Sequence, residues 1–244
     1  MDWIAAFFIG FLAAFVGAIA SGGGLIAIPG LIFLGASPIS AIATSRLNLM
    51  SGGISAVYRY RKDGAVIWKY IPHFFILAIV AGIIGPKLLL GIDENTVQRL
   101  VGVMLLLILP VLWIKKDAGT IRVVRSHRRA LAGYPVVALI LLYLTVFGGG
   151  AGIFIIYAFV YFFGMTVTEA LATGYVIALV ATLVSLIAYS HGGAVNWSLG
   201  IPLMVGGLIG GYLGAHTALK KGAKSVKTLL TVVILISGIK LSFF

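Results

Sequence analysis

Residues 15–48 read FVGAIASGGGLIAIPGLIFLGASPISAIATSRLN, and this stretch decides the fold. It is an apolar run that is broken twice, first by three successive glycines, Gly22–Gly24, and then by Ser37-Pro38. Glycine runs and Ser-Pro pairs both interrupt helices. Arg46 lies inside the apolar run that follows the second break. A charged side chain in such a segment is costly and usually has a function, so the stretch predicts broken helices beside a polar site.

The composition of the whole chain is that of a membrane protein. Hydrophobic residues make up 61% and charged residues 10%, whereas a soluble domain carries about 25% charged residues. The apolar segments are residues 3–20, 24–35, 38–58, 70–91, 97–114, 134–149, 151–164, 167–189, 199–219 and 226–244. Several approach the roughly 20 residues that span a bilayer as a helix. We therefore predict an all-α, polytopic membrane protein that lies in the lipid bilayer.

Some functional classes are excluded by what the sequence lacks. There are no cysteines, which excludes disulfides and thiolate metal sites. No metal-ligand spacing and no grouping of nucleophile, base and acid is present. We therefore expect no enzymatic activity, no metal and no cofactor.

The net charge of +12 is concentrated in short loops between the apolar segments. Three clusters hold 14 of the 18 Lys and Arg residues: Arg59, Arg61, Lys62 and Lys69; Lys115, Lys116, Arg122, Arg125, Arg128 and Arg129; Lys220, Lys221, Lys224 and Lys227. Such loops are typical of the cytoplasmic face of a membrane protein. No basic domain outside the membrane is available to bind nucleic acid, so nucleic acid is not an expected partner.

The two halves of the chain are an internal repeat with an offset of 129 residues. Gly64–Trp68 aligns with Gly193–Trp197, and Gly82–Gly85 aligns with Gly211–Gly214. Near the glycine triplet the offset is 128. The halves predict a first transmembrane repeat at residues 1–114, a basic cytoplasmic link at 115–133 and a second repeat at 134–244. Repeats of this kind are typical of transporters.

Equivalent loops of the two repeats differ in charge, which predicts that the repeats are inverted. The loop Arg59–Lys69 is basic, whereas residues 190–196 carry no Lys or Arg. Gly91–Asn95 is acidic, whereas Lys220–Lys227 is strongly basic. Basic loops prefer the cytoplasm, so each pair should lie on opposite sides of the membrane. Each repeat would then cross five times, or three times with its first two segments forming a re-entrant hairpin, and both termini would be non-cytoplasmic.

The glycine-rich breaks are the first candidate site. Residues Ser21–Gly24 and Gly148–Gly152 would leave helix ends inside the membrane, which is tolerated when the backbone is buried in protein or lines a wet cavity. A helix that begins after such a break presents amide groups and a positive dipole, and both favour an anion. The alternative is close helix packing through small residues.

Arg46 is the second candidate. Ser37 and Pro38 have the pattern of an N-cap followed by proline at the first helical position, which places Arg46 about 13 Å into the helix. Its equivalent in the second repeat is Tyr175, so a site there should be asymmetric. In a cavity the guanidinium would bind a sulfonate, carboxylate or phosphate. Alternatively, it bonds carbonyls of a broken helix or snorkels to the surface.

Glu169 is the acid that lies within an apolar segment, and it permits two interpretations. If burial raised its pKa, it could carry a proton for coupling. However, Thr166-Val-Thr-Glu169 has the spacing of a capping box, and we prefer this structural interpretation.

Taken together, the chain resembles the TauE/SafE family of sulfite and organosulfonate exporters. The resemblance rests on GFLAAFVGAIASGGGLIAIPGLIFLG (10–35), ISAIATSRLNLMSGGISAVYRYRKDGAVIW (39–68), FGGGAGIFI (147–155) and MTVTEALATGYVIALVATLVSLIAYSHGGAVNW (165–197). It implies a prokaryotic inner-membrane permease that exports a small sulfur-containing anion such as sulfite, thiosulfate or an organosulfonate, driven by an ion or proton gradient.

We expect alternating access between the repeats, with the anion held at the two breaks and by nearby hydroxyls. The expected binding residues are Arg46, Ser21, Gly22, Gly23, Gly24, Thr44, Ser45, Asn48, Gly150, Gly152 and Thr173. An anion channel and a non-transporting partner subunit remain alternative functions. The second alternative expects Arg46 to be paired and dry.

Overall fold

The computed structural model describes residues 2–113, 122–123 and 125–221, and these residues are helical except for short connections. The α-helices in the described part are α1 (Asp2–Ala20), α2 (Gly24–Phe33), α3 (Pro38–Lys62), α4 (Ile71–Leu90), α5 (Glu94–Trp113), α6 (His127–Val146), α7 (Ala151–Phe163), α8 (Val167–His191) and α9 (Trp197–Lys221). A 3-10 turn, Trp68–Tyr70, precedes α4. The all-α prediction is confirmed. The tenth apolar segment, 226–244, lies outside the described residues.

Nine predicted apolar segments coincide with these nine helices of the described part. The main difference is at α6, which begins at His127, seven residues before the apolar segment. The start of this helix carries Arg128 and Arg129, and a search for apolar segments does not include charged helical turns. Part of the basic link is therefore helical.

Helix starts follow the local sequence. Ser37 caps α3, because its hydroxyl oxygen accepts a hydrogen bond from the amide of Ser40 at 3.3 Å, and Pro38 occupies the first turn. Thr166 and Glu169 form both bonds of a capping box at the start of α8. The predicted N-cap and capping box are confirmed.

The helix lengths are those of a multi-pass membrane protein. Five stretches of the described residues are long and apolar enough to cross a membrane: Asp2–Ala20, Trp68–Leu90, His127–Val146, Val167–His191 and Trp197–Lys220. In contrast, α2 and α7 have 10 and 13 residues, or about 15 and 20 Å at 1.5 Å per residue. Both are shorter than the roughly 30 Å of a hydrocarbon core, so neither crosses it upright.

The repeat is visible in the helices. Helices α3 and α8 both have 25 residues, and both their ends are 129 positions apart. The first helix of each half packs against a helix of the other half. Helix α1 lies against α9 of the second half, and its equivalent, α6, lies against α4 of the first half. In the centre, α3 packs against α8. The two halves therefore interlock, and the inversion of one relative to the other stays a prediction.

Small residues bring α1 and α9 into backbone contact. A methyl group at any of three glycines spaced four residues apart on α9 would overlap a carbonyl oxygen of α1: Gly206 at Phe7, Gly210 at Phe11 and Gly214 at Phe15. This is the small-residue packing that membrane helices use in place of a hydrophobic driving force. For these glycines, the packing interpretation holds.

Two equivalent hydrogen bonds join the halves. The amide of Asn196, just before α9, donates to the Thr44 hydroxyl oxygen at 2.9 Å. The amide of Ile67, in the equivalent position before α4, donates to the Thr173 hydroxyl oxygen at 2.9 Å. In each case a threonine of one half satisfies a backbone donor at the start of a helix of the other half.

Candidate functional site

A cavity lies at the centre of the protein, between the two halves. Its wall comes from α1, α2 and α3 of the first half and from α6, α7 and α8 of the second. The cavity has a volume of about 60 Å³, which is enough for a few water molecules or one small anion. Both glycine-rich breaks reach the wall, through Ser21, Gly23, Gly24, Gly148 and Gly152.

The two breaks contact each other through their backbones. A methyl group at Gly24 would lie 3.0 Å from the Cα of Gly149, and a methyl group at Gly152 would overlap the Ser21 hydroxyl. Gly148 has a φ of +78°, a backbone conformation that residues other than glycine rarely adopt. Glycine is therefore needed for this close approach, and the approach brings the two helix starts to one cavity.

Helices α2 and α7 both begin beside the cavity. At the start of α2, the amides of Leu25 and Ile26 donate hydrogen bonds to the carbonyl oxygens of Gly22 and Gly23, at 3.0 Å each. At the start of α7, the amide of Ile153 donates to the carbonyl oxygen of Gly150. The earlier amides of a helix have no acceptor within it. Since two helix N-termini, each with a partial positive charge, converge here, the cavity suits an anion.

Arg46 extends from α3 into the same wall, although only 1% of its surface is exposed. Its Nη1 donates to the carbonyl oxygen of Leu144 at 2.8 Å and its Nη2 to that of Thr145 at 3.4 Å. These carbonyls end α6, where the helix dipole is negative. Arg46 therefore makes the carbonyl bonds of the alternative interpretation and its burial excludes snorkelling, while anion binding by Arg46 stays a prediction.

These two bonds leave part of the guanidinium unsatisfied, although the centroid of the Tyr189 ring lies 5.9 Å from its central carbon. The guanidinium has five N–H donors, and its Nε has no hydrogen-bond partner among the described residues. The two ion pairs within the described part join Arg59 to Asp63 and Arg122 to Glu169. A buried charge without a counter-ion is expensive. An anion in the cavity would supply both the missing charge and the missing acceptors.

Ser45 and Asn48 also line the cavity, but their polar groups have protein partners. The Ser45 hydroxyl donates to the Ile42 carbonyl oxygen at 2.7 Å. The Asn48 amide donates to the carbonyl oxygens of Gly10 at 2.8 Å and Leu203 at 3.2 Å. Asn48 thereby fixes α3 to α1 and α9.

Four of the predicted binding residues are not on the cavity wall. Thr44 and Thr173 accept the inter-half hydrogen bonds described above, while Gly22 and Gly150 belong to the breaks without lining the cavity. Glu169 is also elsewhere, since it completes the capping box with Thr166 and lies 3.8 Å from Arg122. The described residues contain no group of three His, Asp or Glu side chains that could hold a metal ion.

Among the described wall residues with a polar side chain, Tyr175 alone was absent from the predicted set. Tyr175, the repeat equivalent of Arg46, lines the cavity from α8. The signal that could have identified it is its position, because equivalent residues of two interlocked repeats approach the same central space.

Comparisons with known proteins place the chain in a family of membrane transporters. The family model described as "Sulfite exporter TauE/SafE" matches residues 6–241. A "Probable membrane transporter protein" of Haemophilus influenzae is 30% identical over 93% of this chain and 89% of its own length. "Probable membrane transporter protein YfcA" of Escherichia coli K12 is 26% identical over 97% and 88%, and "Probable membrane transporter protein ORF9" of a Sinorhizobium species is 28% identical over 95% and 88%. No solved structure matches the chain.

Proposed function

Because this chain belongs to the sulfite exporter TauE/SafE family and is a membrane transporter, we propose that it exports a small sulfur-containing anion across a prokaryotic inner membrane. Sulfite, thiosulfate and organosulfonates are the proposed substrates. The family membership supports the substrate class. The relatives carry the names of transporters rather than enzymes.

Arg46 is the observation that carries the proposal. The central cavity contains a buried guanidinium whose Nε has no hydrogen-bond partner and which has no carboxylate partner among the described residues. Two helix N-termini border the same cavity. A planar guanidinium binds oxyanions through two parallel hydrogen bonds. We therefore expect Arg46 to bind a sulfite or sulfonate group in preference to an uncharged solute.

The proposed mechanism is alternating access between the two halves, driven by an ion or proton gradient. The anion binds at the breaks, where α2 and α7 begin, and contacts residues of both halves. Transporters with internal repeats bind their substrates at the repeat interface and expose that site by moving one repeat against the other. With basic loops cytoplasmic, one arrangement opens the cavity to the cytoplasm and the other to the outside.

The test is uptake of 35S-labelled sulfite and thiosulfate into proteoliposomes by wild type, Arg46→Gln and Arg46→Lys. Arg46→Gln keeps an amide donor but removes the charge, so we expect uptake to fall at least tenfold. Arg46→Lys keeps the charge without the planar fork and should retain part of the activity. Arg59→Gln is the matched control, since Arg59 is on the same helix but bonds His216 and Asp63 away from the cavity.

Wild-type uptake by a folded Arg46→Gln variant would rule out Arg46 as the main partner of the anion. Saturation at low substrate concentration and acceleration by an imposed proton or sodium gradient are expected for a coupled transporter. Uptake that neither saturates nor responds to the gradient would instead identify an anion channel.

A further inference from the structure

We infer that Tyr175 is the second anion-binding group of the central cavity and makes the site selective for oxyanions. Its phenol hydroxyl donates a hydrogen bond to one oxygen of the anion while Arg46 holds the others. This inference rests on the proposed function and assigns a selectivity residue to the same site.

The position of the Tyr175 side chain is fixed by contacts with the first half. A methyl group at Gly17 of α1 would lie 3.1 Å from the Tyr175 hydroxyl oxygen, and one at Gly53 of α3 would lie 3.6 Å from its ring. Tyr175 therefore reaches from α8 across the interface between halves, and it does so at the cavity wall.

The hydroxyl of Tyr175 differs from those of the neighbouring enclosed tyrosines in having no acceptor. Tyr60 donates to the carbonyl oxygen of Ala18 near the end of α1. Tyr189 donates to that of Thr145 near the end of α6 at 2.9 Å. No hydrogen bond joins the Tyr175 hydroxyl to any described residue. The Tyr175 side chain is half-buried at the cavity wall, so an oxyanion bound there would supply the acceptor that its hydroxyl lacks.

Arg46 and Tyr175 occupy equivalent positions in the two repeats, so the anion would contact one donor group from each half. An anion with several oxygens on one centre can offer a separate oxygen to each donor group. A halide must accept both hydrogen bonds at one atom. Two donors that are spaced for separate oxygens of one group favour such an anion over a halide. The preferred class is therefore oxyanions such as sulfite, thiosulfate and sulfonates rather than halides.

Tyr175→Phe tests the inference, because it removes one oxygen atom and leaves the ring and its packing. Tyr60→Phe is the matched control, since its ring centroid lies 6.4 Å from that of Tyr175 but its hydroxyl bonds a carbonyl outside the cavity wall. The measurements are KM and Vmax for thiosulfate and sulfite in proteoliposomes, and the inhibition constant of chloride. Unfolding temperatures of the purified variants establish that both are folded.

We expect Tyr175→Phe to raise KM for both oxyanions about tenfold or more, the effect of losing a hydrogen bond to a charged ligand. Vmax and inhibition by chloride should change less than about twofold, and Tyr60→Phe should leave every KM unchanged. An unchanged KM in Tyr175→Phe, or an equal weakening of oxyanions and chloride, would overturn the inference. If wild type transports no oxyanion at all, the proposed function fails first and the inference fails with it.

Discussion

The sequence assigned the Thr44 hydroxyl to the substrate, but the structure predicts that it stabilises the fold. Thr44→Val keeps the shape of this fully buried side chain and removes the acceptor for the Asn196 amide, 2.9 Å away. A partly buried amide left without an acceptor costs about 1–3 kcal/mol. Since the substitution creates no cavity, this is the whole expected effect.

The second half provides an internal comparison for this magnitude. Thr173→Val removes the equivalent bond to the Ile67 amide, also 2.9 Å long, and should cost a similar amount. The two bonds share no group, so the losses in the double variant should add. Thr44→Ser retains the hydroxyl and should recover most of the stability.

The assay is thermal unfolding of purified protein followed by tryptophan fluorescence, together with KM for the transported anion. For a chain of this size, each kcal/mol corresponds to about 2–4 °C in unfolding temperature. We expect Thr44→Val to unfold several degrees lower with an unchanged KM. A raised KM at an unchanged unfolding temperature would refute the structural role and restore the sequence-based assignment of Thr44 to the substrate.

Three other substitutions test separate parts of the structure. Gly210→Ala places a methyl group on a carbonyl oxygen of α1, so it should lower the unfolding temperature by several degrees, and an unchanged value would contradict the backbone contact. Glu169→Gln preserves a capping-box side chain and should leave transport and its dependence on the proton gradient unchanged; loss of that dependence would identify a proton carrier. Gly148→Ala would place its methyl group 2.8 Å from Nη1 of Arg46 at a φ of +78°, so we expect weaker anion uptake together with about 1–2 kcal/mol of destabilisation from the left-handed backbone. Wild-type values of both would contradict the position of the guanidinium.

Much of the fold could be predicted from the sequence because it depends on local patterns. Hydropathy located the nine helices of the described part, and the cap of α3 at Ser37 followed from a Ser-Pro pair. The repeat offset matched α3 with α8 to the residue. Each of these features is set by residues close together in the chain, so an individual stretch was enough.

The site was predicted less completely because it depends on how the halves interlock. The partners of Arg46 are carbonyls 98 and 99 residues away. Every residue has a backbone carbonyl, so the sequence does not indicate which of them bind Arg46. A buried hydroxyl can bind a substrate or a backbone amide equally well, so the sequence could not distinguish Ser45, which lines the cavity, from Thr44, which does not. Tyr175 could have been inferred as a wall residue, because it is the repeat equivalent of Arg46 and equivalent residues approach the same central space.

The contact between α1 and α9 has a consequence for how the protein is made. The glycine-lined surface that receives α1 begins to emerge from the ribosome only after α9 starts, 195 residues later than α1 itself. At about 5–20 residues per second, this delay is roughly 10–40 s. Throughout that time α1 lacks the surface of α9 that it finally packs against. A chain that stops before Trp197 therefore leaves this face of α1 without its packing partner, and synthesis of α9 is the step that covers it.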